Sequence, residues 1–524
     1  MASANSACSR SVAPSTSGNS RRGGLRFLDG SGTHRLRNGD RLGPREGIAM
    51  RKWRNEGFLG AGCAVLLLLA LAGCTMQAGD PDSLGSGGAG YGIPDSKERF
   101  ETQRNAIAEK LQTALLPAMR NHGIDMWIVM DRENNEEPLH VELGGGFAGV
   151  RGAFIFHDNG SDTVEKLYYS SHEQPANSVI SQIYDETIYY GYYPEGLTPH
   201  LRKAVEDRDP QRIGVNTSHT LPEADGLTVG LRNYLVDTIG PEYASRLVSA
   251  ELLVRDFRLQ RTPAETAIYT GLLEWTARWM EEALAAENIT IGVTTAEDVN
   301  WWLRDRALEL GLTGGGTVRI VREGDLLPIH DPDIPIERGD IVGIDGGLRY
   351  LQYATDIKRT AYILRPGEAE MPESLQEIWR TTHEIGDYYA SRMVPGAVGS
   401  ETWSAINAEM ASRGYRAVGP DAGGDAVTTT EPEVGIYGHS VGNVAHDIGA
   451  RIADDIPFAY GDRVGFALQA SEWVSIEFHV SIPVPEWDGK TWYARFEETA
   501  QITEDGVKWL IPTQKELFLI EPGN

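Results

Sequence analysis

Cysteine is almost missing from this chain. Three occur in 524 residues, Cys8, Cys63 and Cys74, all within the first 74. The stretch 75–524 therefore cannot form an internal disulfide, and it offers no thiolate as a metal ligand or nucleophile. Positive charge is also scarce: 48 Lys and Arg stand against 75 Asp and Glu, a net charge of -27. Phosphate backbones would be repelled, which argues against nucleic acid as a partner. The apolar run 58–73 falls short of the roughly 20 residues that a comfortable membrane span requires.

That run has the layout of an address. Arg51, Lys52 and Arg54 precede it, and Leu71-Ala72-Gly73-Cys74 closes it. A basic segment, an apolar core and small residues before the end are the parts of a secretory signal, here over 50–73. The closing tetrapeptide resembles the lipobox of bacterial lipoproteins. The resemblance implies cleavage before Cys74, acyl chains on its thiol and new amino group, and a place in the bacterial cell envelope on the outer-membrane or periplasmic side. An uncleaved signal anchor is the alternative. Residues 1–49 are rich in Ser, Gly and Arg without apolar period, as expected of a disordered or untranslated prefix with Met50 as the start. Residues 74–97 read as a Gly/Ser/Asp/Pro tether.

Two folded regions follow. Over 98–258 an opening helix with Ile107, Leu111, Leu115 and Met119 precedes the short apolar segments IDMWIVM, GAFIFHD, EKLYYSS, RIGVNTS and AELLVRDFRL. Read as strands between helices, these predict an α/β domain. The run Gly144-Gly145-Gly146 is expected to be a loop. Over 259–524, Thr262-Pro263-Ala264-Glu265 predicts a helix start with a capping box. A helix pair, extended segments, a second helix pair after Pro372 and further extended segments then predict an α+β domain built from two related halves.

The chemistry concentrates on the extended segments of both halves. Asp345 ends the apolar run of VGIDGG, Asp356 opens ATDIKRT, His439 lies in YGHSVG, Glu477 in VSIEFHV and Glu497 in RFEET. Four carboxylates and one imidazole suffice to hold two divalent metal ions in one pocket. Gly346 and Gly347 are expected to permit a tight reversal that carries Asp356 back toward Asp345. In VSIEFHVSI, Ile476, Phe478, Val480 and Ile482 alternate to one face, so Glu477 projects from the other. Glu472 is a rival for the fourth ligand.

VGIDGGLRYLQYATDIKRT, GHSVGNVAHD and ARFEET, in that order, resemble the pita-bread dinuclear metallopeptidases, the family of aminopeptidase P, prolidase and creatinase. The resemblance covers about residues 98–520. It implies a creatinase-like α/β N-terminal domain and a pita-bread catalytic domain with pseudo-twofold symmetry. It further implies that Asp345 binds one ion, that His439 and Glu477 bind the other, and that Asp356 and Glu497 bridge both. An oxygen-rich set with one imidazole suits Mn²⁺, with Co²⁺, Zn²⁺ or Fe²⁺ as alternatives. The implied activity is removal of an N-terminal residue, often ahead of proline, from short peptides by a metal-bridging hydroxide. Glu477 would shuttle the proton, His330 and His446 would assist catalysis, and Arg495 would orient Asp345 or Glu497. A homodimer is implied as well.

Gly435 stands where the proline-specific members carry a histidine, which leaves a non-peptide hydrolase or lyase of creatinase or dimethylsulfoniopropionate-lyase type as an alternative. A module that only binds partners is a further one. His479 is expected to line a pocket wall, His383 to be structural, and Trp301, Trp302 and Trp473 to serve core or interface.

Overall fold

The helix Pro263–Ala283 shows how local sequence sets the frame. Thr262 Oγ1 accepts from the Glu265 amide at 3.2 Å while the Glu265 carboxylate accepts from the Thr262 amide at 2.9 Å. Pro263 occupies the first turn, where its missing N–H costs nothing. One stripe of the helix, Tyr269, Leu272, Leu273, Thr276, Trp279, Met280 and Ala283, is buried. Tyr269 stacks on Trp473 at 4.2 Å between ring centroids, so this helix is fastened to a strand two hundred residues away.

The computed structural model describes residues 90–327, 333–419, 431–454 and 461–521, all within the unit Ala78–Asn524. The expected prefix, signal segment and lipidated Cys74, and His330, lie outside the described residues. The end of the expected tether is corrected: Tyr91 is buried in the core, and a helix begins at Ser96 under an Asp95 cap. The Tyr91 ring draws the guanidinium groups of Arg278 and Arg306 over it, a polar-aromatic contact that composition does not reveal.

A first six-stranded mixed sheet runs, in spatial order, Glu186–Tyr189, Glu165–Ser170, Gly152–His157, Met126–Asp131, Ile213–Val215 and Leu247–Ser249. Along the central strand, Trp127 and Val129 enter one apolar cluster while Met126, Ile128 and Met130 enter another. Both faces are therefore covered, as its continuous apolar run demands. AELLVRDFRL is not a strand. Glu251–Leu259 is a helix with Leu253, Val254 and Phe257 buried, a stripe that a short apolar run cannot distinguish from a strand.

Two more six-stranded sheets follow, each after a helix pair. One is ordered Phe518–Ile520, Ile357–Ile363, Ile341–Tyr350, Thr313–Arg322 and Asp325–Leu326, with Tyr353–Ala354 at its side. The other is ordered Arg416–Ala417, Glu433–Ile436, Trp473–Pro483, Thr491–Thr503 and Gly506–Trp509, with His439–Ser440 at its side. Phe518–Ile520 pairs in parallel with Ala361–Ile363, so the end of the second half returns to the sheet of the first.

The glycines after Asp345 do not make the reversal. The strand continues to Tyr350, and the chain turns at Leu351, whose φ is 53°. Gly347 instead allows a close approach: a Cβ there would collide with the Thr355 carbonyl.

Candidate metal centre

The two sheets bring five side chains together. Asp345 lies on the strand Ile341–Tyr350 and Asp356 directly before the strand Ile357–Ile363 of the same sheet, while His439, Glu477 and Glu497 come from the last sheet. Ligand atoms of Asp345, Asp356 and Glu497 lie within 4.8 Å of one another, as do those of His439, Glu477 and Glu497, and those of Asp356, His439 and His446. Glu477 and Glu497 are direct register partners across the antiparallel ladder, and His439 pairs with Ser475 on the same strand as Glu477.

His439 is buried, with Nδ1 donating to the Ser440 carbonyl at 3.0 Å. Its Nε2 has no hydrogen-bond partner and lies 3.5 Å from both Glu477 Oε2 and Glu497 Oε1. Burial alone would depress this imidazole, but the two glutamates outweigh it and lift its pKa to about 9. A proton and a metal ion would thus compete for the same nitrogen. Ser475 Oγ donates to Glu497 Oε1 at 2.7 Å, fixing that carboxylate. Burial and the nearby Glu497 hold the Asp356 carboxyl well above its usual range. An orphaned buried imidazole nitrogen beside converging carboxylate oxygens fits a divalent cation.

Other expected residues fall into place individually. Arg495 Nη1 donates to Asp345 Oδ2 at 3.3 Å, the Asp345 option of the two anticipated. His446 is exposed at the edge of the centre, with Nε2 3.7 Å from Asp356 Oδ2, so it is not a buried backbone-bonded histidine. Glu472 is buried and accepts from the amides of Gln469 and Ala450 at 3.0 and 3.3 Å. It is in none of the three ligand groups, and burial pushes its pKa up to about 7. His479 is buried against Tyr437 and Tyr493, and its ring fills the space that a side chain at Gly435 would need. His383 is buried within its helix and bonded to the Gln514 carbonyl at 2.6 Å. Trp473 is core, whereas Trp301 is 54% exposed and so is no part of the core.

Two features went unread in the sequence. Lys358 is buried, and its Nζ lies 2.6 Å from Glu477 Oε1, 2.6 Å from Glu497 Oε2 and 3.1 Å from Asp345 Oδ2. Burial would lower this ammonium, but Asp345, Glu477 and Glu497 hold it well above its usual range. The strand period was the available signal, since Lys358 follows Asp356 by two positions and shares its face. Asp447, next to His446, is fully buried and accepts from Arg258 Nη1 at 3.1 Å and Arg261 Nη2 at 2.8 Å. These arginines follow the first sheet in the chain, so they tie the histidine segment to the α/β layer.

Beside the centre opens a cavity of about 620 Å³, lined by Asp345, Asp356, His446, the strand Thr313–Thr317 and the arginines Arg304 and Arg349. Its size suits a small ligand.

Residues 272–504 match the profile of Metallopeptidase family M24. The M24 match contains all five converging side chains. Among curated proteins, the chain is 26% identical over 185 residues to the peptidase YqhT of Bacillus subtilis, covering 35% of this chain and 43% of that one. It is 30% identical over 186 residues to the Xaa-Pro dipeptidase of Pyrococcus furiosus, covering 36% and 44%. The aligned region thus spans less than half the length of these relatives. Among solved structures, the X-Pro aminopeptidase of Thermotoga maritima superposes with a TM-score of 0.56 at 18% identity, over 77% of this chain and 100% of that one. The fold is the mixed α/β pita-bread architecture with an N-terminal α/β layer.

Proposed function

We propose that this chain is a metal-dependent hydrolase that releases the N-terminal residue of short peptides, Xaa-Pro peptides among them. The observation that carries the reading is the convergence of Asp345, Asp356, His439, Glu477 and Glu497 inside the M24-matching stretch. A divalent ion held there would lower the pKa of a coordinated water and so supply a nucleophile at neutral pH. Glu477 is placed to take and pass a proton. His446, exposed on the cavity side of Asp356, is placed to meet the substrate. Arg495 holds Asp345 in position. Arg304 and Arg349 at the cavity wall suit the free carboxylate of a short peptide.

Mn²⁺ as the native ion, a homodimer, and a lipid anchor on Cys74 that places the enzyme in the cell envelope belong to the same proposal. Among the described residues no helix is long and apolar enough to cross a membrane. Gly435, covered by the His479 ring, favours a second reading, a non-peptide hydrolase or lyase on this scaffold. Incubation of the Mn²⁺-loaded chain with Xaa-Pro dipeptides, Xaa-Pro-Xaa tripeptides and non-prolyl dipeptides separates the two. Turnover that disappears in Asp356→Ala supports the peptidase; failure to cleave any of these peptides refutes it.

A further inference from the structure

Lys358 bears on how many metal ions the centre can take. Its strand pairs with that of Asp345 so that Lys358 and Asp345 are direct register partners, and the ammonium then reaches across the seam to both glutamates. Each glutamate divides its oxygens. Glu477 gives Oε1 and Glu497 gives Oε2 to Lys358, each at 2.6 Å. Their other oxygens, Glu477 Oε2 and Glu497 Oε1, face the unpartnered Nε2 of His439. The carboxylates thus define two cation positions. One, against Asp345, is filled by a side chain of the protein itself. The other, against His439, is faced by the remaining oxygen of each glutamate, with Ser475 Oγ orienting that of Glu497.

We propose that the Lys358 ammonium takes the place of one of the two metal ions, leaving a mononuclear site formed by His439, Glu477, Glu497 and Asp356. The inference rests on the metallohydrolase reading above but adds a stoichiometry that reading does not require. Charge supports it. The four carboxylates Asp345, Asp356, Glu477 and Glu497 are balanced by Lys358, by Arg495 on Asp345, and by a single divalent ion. A second ion would displace the Lys358 ammonium from three carboxylates and leave it buried without them, and an unpaired buried charge is costly. Lys358 also has little room to swing, because its neighbours Ile357 and Arg359 are buried and Arg359 is tied to Glu498 at 3.1 Å.

The test is the metal count of the full chain, loaded with excess Mn²⁺, desalted and measured by elemental analysis, together with its electron paramagnetic resonance spectrum. The expected result is one Mn²⁺ per chain with the signal of an isolated ion. Lys358→Thr, which removes the ammonium, is expected to raise the count to two and to give an exchange-coupled spectrum. Two ions in the unaltered chain overturn the proposal while leaving the hydrolase reading intact. No bound ion overturns both. A count that stays at one in a folded Lys358→Thr chain also overturns it, because Lys358 would not then be what holds the second position. If Lys358→Thr does not fold, Lys358→Met is the substitute, and the count and spectrum of the unaltered chain decide without either. One ion with no peptide turned over leaves the stoichiometry standing and removes the peptidase reading.

Discussion

Glu477 and Glu497 stand directly opposite each other across an antiparallel ladder, with both side chains turned into the seam between two sheets. Like charges in such a pair repel. The pairing is tolerable because positive charge lies between them, from Lys358 on one side and, in the proposed holoenzyme, from a metal ion on the other.

Exchanging single glutamates distinguishes ligand from scaffold. Glu477→Gln is expected to abolish tight metal binding, whereas Glu472→Gln keeps it, because the Glu472 carboxyl is engaged by the amides of Gln469 and Ala450. Calorimetric titration with Mn²⁺ checks both. Loss of binding in Glu472→Gln with retention in Glu477→Gln would reverse the assignment.

Ser475 is expected to act through Glu497. Its hydroxyl orients Oε1 at 2.7 Å, and Ser475→Ala should weaken metal affinity roughly 10- to 100-fold, as losses of such orienting partners do. The melting temperature of the metal-free chain should change far less. An unchanged affinity counts against the role.

Asp447 should matter to stability more than to chemistry. Asp447→Asn leaves Arg258 and Arg261 buried without their shared anion, a change expected to cost about 3–5 kcal/mol. Urea unfolding followed by tryptophan fluorescence measures it. The Mn²⁺ affinity of the protein that remains folded should fall only modestly.

Glu137, which follows the strand Met126–Asp131, carries a pH signature. Burial pushes its pKa up to about 7, against stabilising bonds from Asn216 and the Leu139 amide. Between the ordinary carboxylate range and pH 7 the folded chain holds a proton that the unfolded chain has lost. Its contribution is therefore full at low pH and declines as pH rises toward 7. Glu137→Gln removes that decline, so the stability difference between variant and parent should grow with pH by up to about 3 kcal/mol. A difference that is flat from pH 4 to 8 would refute it.

The legible parts of this molecule were those with local causes. Thr262 and Glu265 announce their helix because a capping box needs only four residues. The alternation Ile476, Phe478, Val480 fixes the direction of Glu477 because a strand has a period of two. Glu251–Leu259 was misread because three successive apolar residues fit either period. Gly346 and Gly347 were misread because a glycine that permits close packing looks the same as one that permits a turn. Lys358 was overlooked for a different reason. A lysine between Ile357 and Arg359 has no evident partner until the fold supplies Glu477 and Glu497, more than a hundred residues downstream. Asp447 and its arginines share that distance.

Asp356 and Lys358 ride on one sheet while His439, Glu477 and Glu497 ride on the other, so whatever cation sits among them acts as a clasp on the seam. An ion present at a hundredfold over its dissociation constant would add about 2.7 kcal/mol to the closed arrangement. A chelator would then loosen the join between the sheets while each sheet kept its own ladder, and metal supply would set how long the molecule survives as well as how fast it works.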